Sequence, residues 1–227
     1  MIAAILFDLD ETLHDRAASL RSFLLDQHRR WFPGHVAQHA FVAQFLALDA
    51  HGSLAKPLLY PRLLAALGIT GRDADMLAAD YAAGFRDHVR PMDGVAALLP
   101  ALRARGLRLG IISNGATAFQ HRTIDALGIR AAFDAILISE AEQLRKPDPR
   151  LFHRATERLG VSPERCVFVG DHPEADVRGA MAAGMGAIWF RRAIRWPETL
   201  PAPPATIESL SALPPLLEAA LEQAPLT

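Results

Sequence analysis

The 227-residue sequence has little of what marks several common classes of protein. Its one cysteine, Cys166, excludes an intramolecular disulfide framework and fits a reducing compartment. The formal net charge is −1, and no basic stretch is long enough to suggest nucleic-acid binding. No apolar run approaches the roughly 18 residues of a membrane span, and the opening MIAAILF lacks the charged start of a signal peptide. We therefore expect a soluble, cytoplasmic protein without nucleic-acid or membrane partners.

Lysine is scarce as well. Only Lys56 and Lys146 occur, so arginine fills nearly all the basic positions. Lysine differs from arginine in offering a compact ammonium on a flexible stem. Each of the two lysines is therefore worth testing for a role that needs that shape.

What the chain does have is a series of short apolar runs. Five of them, apolar on both faces, predict buried parallel strands at residues 2–7, 107–112, 135–138, 165–169 and 186–190. Helical patterns separate the later runs, at about 94–105, 116–127, 148–160 and 174–183. This alternation predicts an α/β fold with a Rossmann-like three-layer core around a parallel sheet. Near the C-terminus we expect an edge strand at 205–207 and a last helix at 211–223.

The first predicted strand is not followed by a short connection. Residues 14–90 contain helical runs, punctuated by glycine and proline, and no convincing strand. A connection of that length should form a unit of its own. We predict a catalytic core from residues 1–13 and 92–227 and a small all-helical cap domain at 14–91. The hinges should lie near His14 and near Arg90–Pro91.

Polar side chains follow four of the predicted strands, at the edge of an open α/β sheet where ligands bind. In chain order they are Asp8, Asp10, Thr12, Ser113, Asn114, Lys146, Asp171 and Asp176. Clustered carboxylates repel one another unless a cation lies between them, and Mg²⁺ suits an all-oxygen site that also takes a substrate phosphate. The lysine, the serine hydroxyl and the backbone N–H groups of a turn before a helix suit a phosphate. The pattern indicates phosphoryl transfer at a magnesium site.

These four clusters resemble the motifs of the haloacid dehalogenase superfamily, and specifically those of its phosphatases. DLDET at residues 8–12 is similar to the first motif, SN at 113–114 to the second, KPDP at 146–149 to the third and GDHPEAD at 170–176 to the fourth. A lone D-x-D-x-T would be weak, because short acidic patterns recur by chance. Four motifs in order at predicted strand ends are specific, and the resemblance covers the core from Asp8 to about Phe190.

The resemblance implies the central roles in catalysis. Asp8 would be the nucleophile that forms an aspartyl-phosphate. Asp10 would be the general acid for the leaving oxygen and then the base that activates water. Lys146 would pair with Asp8 and the phosphoryl group. Mg²⁺ would be held by the Asp8 carboxylate, the Asp10 backbone carbonyl and Asp171.

The same resemblance implies supporting roles. Ser113, Asn114 and Thr12 form the predicted phosphate-binding group, with Thr12 also expected to support the loop that carries Asp10. Asp176 would orient the lysine and the metal ligands without binding the metal itself. His172 stands where many relatives carry a small polar residue, and we expect it to be structural.

The predicted function is a Mg²⁺-dependent phosphatase that hydrolyses a small phosphorylated metabolite, as a monomer or homodimer. A phosphomutase, a haloacid dehalogenase and a non-catalytic ligand-binding member are the alternatives. Asp10 favours a phosphatase over a dehalogenase, because dehalogenases of the superfamily lack an acid there, and the intact motif set argues against a non-catalytic member. Sugar phosphates, phosphoglycolate and nucleoside monophosphates all stay open, since the cap has no motif that names the substrate.

Overall fold

The computed structural model describes residues 1–222, which form two compact units. The first comprises Met1–Asp15 with the chain from Pro91 onward, and the second is Arg16–Arg90. The strands are β1 (Ala4–Phe7), β2 (Arg108–Ser113), β3 (Ala135–Ile138), β4 (Cys166–Gly170), β5 (Gly186–Phe190) and β6 (Thr206–Ile207). The helices are α1 (Arg16–Trp31), α2 (Gln38–Asp49), α3 (Lys56–Ala66), α4 (Ala74–Gly84), α5 (Val95–Ala104), α6 (Thr117–Ala126), α7 (Ser139–Glu142), α8 (Pro149–Leu159), α9 (Gly179–Ala182) and α10 (Leu213–Glu222).

The strands of the first unit form one parallel sheet in the order β3-β2-β1-β4-β5-β6. Each of the five apolar runs contains a strand, and the expected edge strand is present as β6. The predicted Rossmann-like α/β class is therefore confirmed. The predicted last helix is α10, and the end of that prediction, residue 223, lies outside the described residues with the rest of the chain to 227.

Apolar side chains cover both faces of the sheet. Ile5 and Phe7 of β1 join a cluster on one face, and the alternate residues Ala4 and Leu6 join a cluster on the other. This follows from the two-residue period of a strand, which sends successive side chains to opposite faces. Helices α5 and α10 supply leucines to the first cluster, and α8 supplies Leu151, Phe152, Ala155 and Leu159 to the second. The result is the predicted three-layer core.

The central strand β1 carries the candidate site. Phe7, its last residue, pairs with Ile111 of β2 on one side and with Val169 of β4 on the other. The backbone N–H of Asp8 then donates to the Val169 carbonyl at 2.9 Å. Asp8 therefore starts the loop at the carboxyl edge, between the ends of two flanking strands.

Helix α8 begins and ends as its sequence predicts. Asp148 is the N-cap, and its side chain accepts a hydrogen bond from the backbone N–H of Arg150. Pro149 occupies the first helical position, and Gly160 ends the helix with φ of 64°. The helix leads away from Lys146, which precedes it in a loop with a cis Lys146–Pro147 peptide bond.

The second unit is helical throughout and has an aromatic core. Phe23 packs edge-on against Tyr81 at 5.1 Å between ring centroids, and Tyr81 stacks on Phe85. The hydroxyl of Tyr60 donates to the buried amide oxygen of Gln27 at 2.7 Å. These rings bury large apolar areas, which a unit of this size needs for a core of its own.

Within the first unit, the end of its N-terminal segment lies beside the start of its C-terminal segment. His14 pairs with Pro91, and the Met92 N–H donates to the Leu13 carbonyl at 2.8 Å.

Among the described residues, no helix is both long enough and apolar enough to cross a membrane.

Candidate active site

Three loops at the carboxyl edge of the sheet, after β1, β3 and β4, bring Lys146 together with the carboxylates of Asp8, Asp171 and Asp176. Lys146 Nζ lies 2.5 Å from Oδ1 of Asp8 and 2.7 Å from Oδ1 of Asp176. Lys146 is 4% exposed and Asp176 is 1% exposed. Asp171 follows β4 and is also buried. Ionic groups in such a place need partners, and the lysine supplies one to each of two carboxylates.

The surroundings shift the pKa of each of these groups. Burial raises the pKa of Asp8 to about 7, with the charges of Asp176 and Asp10 adding to the rise and Lys146 opposing it. Burial and the neighbouring charges of Asp8 and Asp176 raise the pKa of Asp171 to about 9. Burial would lower the pKa of Lys146, but the carboxylates of Asp176 and Asp8 outweigh it and the pKa rises. The site therefore holds more negative charge than its one lysine can balance.

The chemistry of this donor set fits a divalent cation. Carboxylate oxygens of Asp8, Asp171 and Asp176 lie within 4.8 Å of one another, and all three residues are buried. Within residues 1–222 this is the one group of its kind. Hard oxygen donors and excess negative charge suit Mg²⁺ better than a softer metal.

The loop after β1 holds Asp10 apart from this cluster. His14 Nδ1 lies 2.7 Å from Oδ1 of Asp10, and Nε2 of Gln120 donates to Oδ2 at 2.8 Å. His14 is fully buried and Gln120 nearly so, whereas the Asp10 side chain is 28% exposed. The first motif thus places its two aspartates in different surroundings, one against a lysine and one against a histidine and an amide.

Sequence reasoning missed both partners of Asp10. From the sequence, His14 was predicted only as a hinge position, and Gln120 was not singled out. A histidine four residues after an aspartate in a tight loop is a signal that a closer reading of the motif can use. Gln120 gives no such signal, because it lies 110 residues from Asp10.

The two residues of the second motif, Ser113 and Asn114, make different contacts. Ser113, the last residue of β2, is buried and its Oγ accepts a hydrogen bond from Gln120 at 2.9 Å. Asn114 Nδ2 donates to the Lys146 carbonyl, and its Oδ1 accepts from the Lys146 N–H, both at 2.9 Å. This reciprocal pair fixes the backbone that carries Lys146, and phosphate binding by Asn114 stays a prediction.

Thr12 and His172 complete the predicted set. Thr12 is fully buried, and its Oγ1 has no hydrogen-bond partner among the described residues. His172 is exposed, and its Nδ1 accepts from the Ala175 N–H at 3.2 Å at the start of the π-helical segment Pro173–Arg178. This cap is the structural role expected for His172.

A glycine makes room for Asp176. A Cβ atom placed on Gly170, the last residue of β4, would lie 2.7 Å from Cβ of Asp176. Asp176 is held there by the His172 N–H, which donates to Oδ2 at 2.9 Å. The fourth motif therefore needs a glycine before its first aspartate for reasons of space.

Solved structures with similar folds support the architecture. The crystal structure of a protein described as a HAD-hydrolase from Bacillus subtilis, bound to magnesium, has a TM-score of 0.75 and 22% identity, covering 95% of this chain and 98% of that one. A 2-haloacid dehalogenase from Pseudomonas syringae has a TM-score of 0.64 and 32% identity, covering 97% and 100%.

The sequence comparisons agree on the family. A phosphoserine phosphatase from Thermus thermophilus is 37% identical over 166 residues, which are 71% of this chain and 67% of that protein. A glyceraldehyde 3-phosphate phosphatase from Methanopyrus kandleri is 30% identical over 200 residues, 85% of each chain. These relatives confirm the predicted enzyme class, a phosphoric monoester hydrolase. The family model for haloacid dehalogenase-like hydrolases matches residues 2–184. The chain belongs to the haloacid dehalogenase-like hydrolases.

Proposed function

We propose that this hydrolase is a Mg²⁺-dependent phosphatase that cleaves a small phosphorylated metabolite through an aspartyl-phosphate on Asp8. The observation that carries the proposal is the buried contact of Asp8 with Lys146, whose ammonium also contacts Asp176. Phosphate monoesters hydrolyse so slowly unaided that enzymes accelerate the reaction by up to about 10²¹-fold. A carboxylate held beside a fixed positive charge is suited to attack an anionic phosphate.

In the first half of the reaction, an oxygen of Asp8 bonds to phosphorus and the ester P–O bond breaks. Asp10 gives its proton to the leaving oxygen. Lys146 keeps Asp8 in place and balances the charge of the incoming phosphoryl group. The Ser113 hydroxyl, which accepts a hydrogen bond from Gln120, keeps its own proton to donate to a phosphate oxygen.

In the second half, water attacks phosphorus and gives its proton to Asp10. The bond between phosphorus and Asp8 breaks, phosphate leaves, and both aspartates return to their starting states. The separate surroundings of Asp8 and Asp10 support this division of roles, because an acid–base group and a nucleophile need different environments.

The carboxylates of Asp8 and Asp171, with the backbone carbonyl of Asp10, would hold Mg²⁺, and Asp176 would support them through Lys146. The ion would supply positive charge that lets an anionic nucleophile meet an anionic phosphate. The raised pKa values of Asp8 and Asp171 support this proposal, since they describe a site that lacks balancing charge.

A haloacid dehalogenase is the second candidate, favoured by the 32% identity to the Pseudomonas syringae protein. The Asp10 carboxylate argues against it, because displacement of a halide needs no acid to protonate an ester oxygen. A phosphomutase would use the same residues but return the phosphoryl group to its substrate. Analysis of products for halide, free phosphate or an isomerised phosphate ester separates the three.

Substrate choice is proposed to reside in the second unit, which is inserted directly after the loop of Asp8 and Asp10. The names of two relatives suggest phosphoserine and glyceraldehyde 3-phosphate as first compounds to try. The cytoplasmic location and the oligomeric state remain predictions.

The test measures phosphate release from these compounds, from a panel of phosphorylated metabolites and from p-nitrophenyl phosphate, with Mg²⁺ and with EDTA. We expect Mg²⁺-dependent release that is lost in Asp8→Asn. The matched control is Asp125→Asn, an exposed position on α6 whose carboxylate contacts Arg130. Release that survives in Asp8→Asn would remove the nucleophile assignment, and no release by folded wild-type protein would remove the phosphatase proposal.

A further inference from the structure

Two buried side chains contact the Asp10 carboxylate, and the roles proposed for the motif residues do not explain these contacts. Both oxygens of this carboxylate are contacted, Oδ1 by His14 at 2.7 Å and Oδ2 by Gln120 at 2.8 Å. The two partners come from different parts of the first unit, the loop after β1 and helix α6. A carboxylate held at both oxygens by two groups on different elements cannot rotate freely.

The position of His14 is set by the backbone of the loop. Its N–H donates to the Leu9 carbonyl at 2.8 Å, and its carbonyl accepts from the Glu11 N–H at 2.8 Å. Its side chain is fully buried, so the ring has little freedom. When Asp10 is ionised, the proton of the contact must lie on Nδ1 of His14, because a carboxylate can only accept.

Gln120 connects Asp10 with Ser113. Its amide nitrogen carries two hydrogens, and it lies 2.8 Å from Asp10 Oδ2 and 2.9 Å from Ser113 Oγ. One side chain therefore sets the spacing between the proposed acid–base group and the proposed phosphate-binding hydroxyl. Gln120 is 3% exposed, so its own side chain is shielded from competing water.

The turn before α6 is shaped around Gln120. A Cβ placed on Gly115 would lie 2.7 Å from Nε2 and 2.8 Å from Cγ of Gln120. The φ of Gly115 is not positive, so its backbone conformation does not demand glycine. The glycine of the Ser-Asn-Gly turn is needed because the amide of Gln120 occupies the space of a side chain.

We propose that His14 and Gln120 are positioning residues that hold the Asp10 carboxylate in line for proton transfer, and that Gln120 ties it to the phosphate-binding Ser113. This inference rests on the proposed phosphatase function. Proton transfer to a leaving oxygen depends strongly on the placement of the acid. Loss of either residue should therefore matter most for substrates whose leaving oxygen needs a proton.

The leaving group provides the readout. An alkyl phosphate leaves as a strongly basic oxygen and needs the proton of Asp10, whereas p-nitrophenolate leaves without one. In Gln120→Met and His14→Phe we expect phosphoryl transfer from the best alkyl phosphate of the panel to slow by about 10- to 100-fold. This is less than the roughly 10²- to 10⁴-fold of general acid catalysis as a whole, because Asp10 itself is still present. The first turnover of p-nitrophenyl phosphate should keep its rate, and a burst of nitrophenolate should appear because water attack on the aspartyl-phosphate still needs Asp10.

Three further variants guard the result against simple misfolding. His14→Asn keeps an N–H donor near the position of Nδ1 and should restore much of the alkyl phosphate rate. Gly115→Ala should displace Gln120 and reproduce Gln120→Met. His121→Phe, whose ring contacts Arg130 at the surface of α6, is the control and should behave as wild type. Circular dichroism and thermal unfolding report folding for each.

Equal slowing of the first phosphoryl transfer from both substrates in Gln120→Met, or no slowing of it from either, would overturn the inference while leaving the phosphatase proposal intact. Should His14→Phe not fold, Gln120→Met and Gly115→Ala decide the question. A wild-type protein that releases phosphate from no compound would instead mark failure of the proposed function itself.

Discussion

The ammonium of Lys146 contacts the carboxylate of Asp8 at 2.5 Å, and neither side chain is more than one-tenth exposed. The same ammonium contacts Asp176 at 2.7 Å. Burial works against its charge, yet the two carboxylates raise the pKa of Lys146 overall. Lys146 is therefore a permanent positive charge between two acids. One of the chain's two lysines, singled out by its rarity, lies at the centre of the site.

Removal of that charge should affect both activity and stability. In Lys146→Met, the buried carboxylates lose their partner, and breaking such a pair typically costs about 3–5 kcal/mol. We expect a loss in kcat of about 10²- to 10³-fold, as for other fixed electrostatic groups. Phosphate release and urea unfolding in EDTA near pH 8 measure the two effects.

Lys146→Arg is the matched comparison, because it keeps the charge and changes the shape of the head group. It should retain more stability than Lys146→Met and still lose activity, since a planar guanidinium cannot replace a compact ammonium between two carboxylates. Full activity in the arginine variant would show that charge alone matters at this position.

Without metal, the protein should lose stability as the pH rises from about 5 to about 9. The pKa of Asp8 is raised to about 7 and that of Asp171 to about 9, while both ionise near pH 4 in an unfolded chain. Across that window the folded state binds more protons than the unfolded state, so the free energy of unfolding falls with rising pH. Thermal unfolding in EDTA at several pH values measures the slope.

Mg²⁺ should reverse this trend. It binds ionised carboxylates, so it should raise Tm more near pH 8.5 than near pH 5.5. Asp171→Asn should flatten the slope in EDTA and reduce the Mg²⁺ shift, and the exposed Asp125→Asn should change neither. An equal Mg²⁺ shift at both pH values, or an undiminished shift in Asp171→Asn, contradicts the assignment of the carboxylate cluster as the metal site.

Much of the core could be predicted because its strands are buried on both faces. A run such as AILF is apolar at every position, as expected of a strand that is buried on both faces. The aspartate that follows it marks the end of the strand. The ends of the strands are predicted less closely than their positions, since β1 begins at Ala4 and the predicted strand begins at residue 2. The predicted helix at 174–183 is a π-helical segment followed by the short α9, a distinction that periodicity does not resolve.

The site could be predicted only where a short motif carried it. Asp8, Lys146 and Asp171 follow strand ends, and parallel strands bring their carboxyl ends to one edge. The contact of Gln120 with Asp10 depends on where the fold places α6 relative to the loop after β1, and a single sequence does not reveal it. Asn114 was predicted to bind phosphate from its place in the second motif, and that role stays a prediction. The sequence did not reveal that its Oδ1 and Nδ2 contact the backbone of Lys146.

Gly170→Ala should disturb the site through Asp176. The new Cβ would lie 2.7 Å from Cβ of Asp176, and an atom so close to the backbone cannot move far. We expect a loss of about 1–3 kcal/mol, as for other overpacked positions, and weaker Mg²⁺ stabilisation. Gly186→Ala in β5 is the control, because the atoms nearest its new Cβ would be Val167 Cγ2 at 3.3 Å and the Cys166 carbonyl oxygen at 3.6 Å. Similar effects of the two substitutions would show that the space beside Asp176 is not special.

The second unit has its own buried ion cluster, centred on Asp49. Arg16 contacts Asp49 at 2.7 Å, and Lys56 contacts it at 2.5 Å. The Gly52 N–H also donates to Asp49, and Lys56 lies over the ring of Tyr81. Burial would raise the pKa of Asp49, but Arg16 and Lys56 outweigh it and lower the pKa. The carboxylate thus keeps two cations together inside the helical unit.

Asp49→Asn should leave those cations facing each other and destabilise the protein by about 3 kcal/mol at neutral pH. Because the pKa of Asp49 is lowered on folding, its contribution is complete above its unfolded value, about 4, and is lost as the pH falls through the folded value. The gap between wild type and Asp49→Asn in urea unfolding should therefore be large near pH 7 and shrink in acid. Adding Lys56→Met to Asp49→Asn should recover part of the loss, because one of the two cations that faced Asp49 is gone. The exposed Asp87→Asn should have little effect at either pH, and a gap independent of pH would show that Asp49 acts through hydrogen bonds and not through its charge.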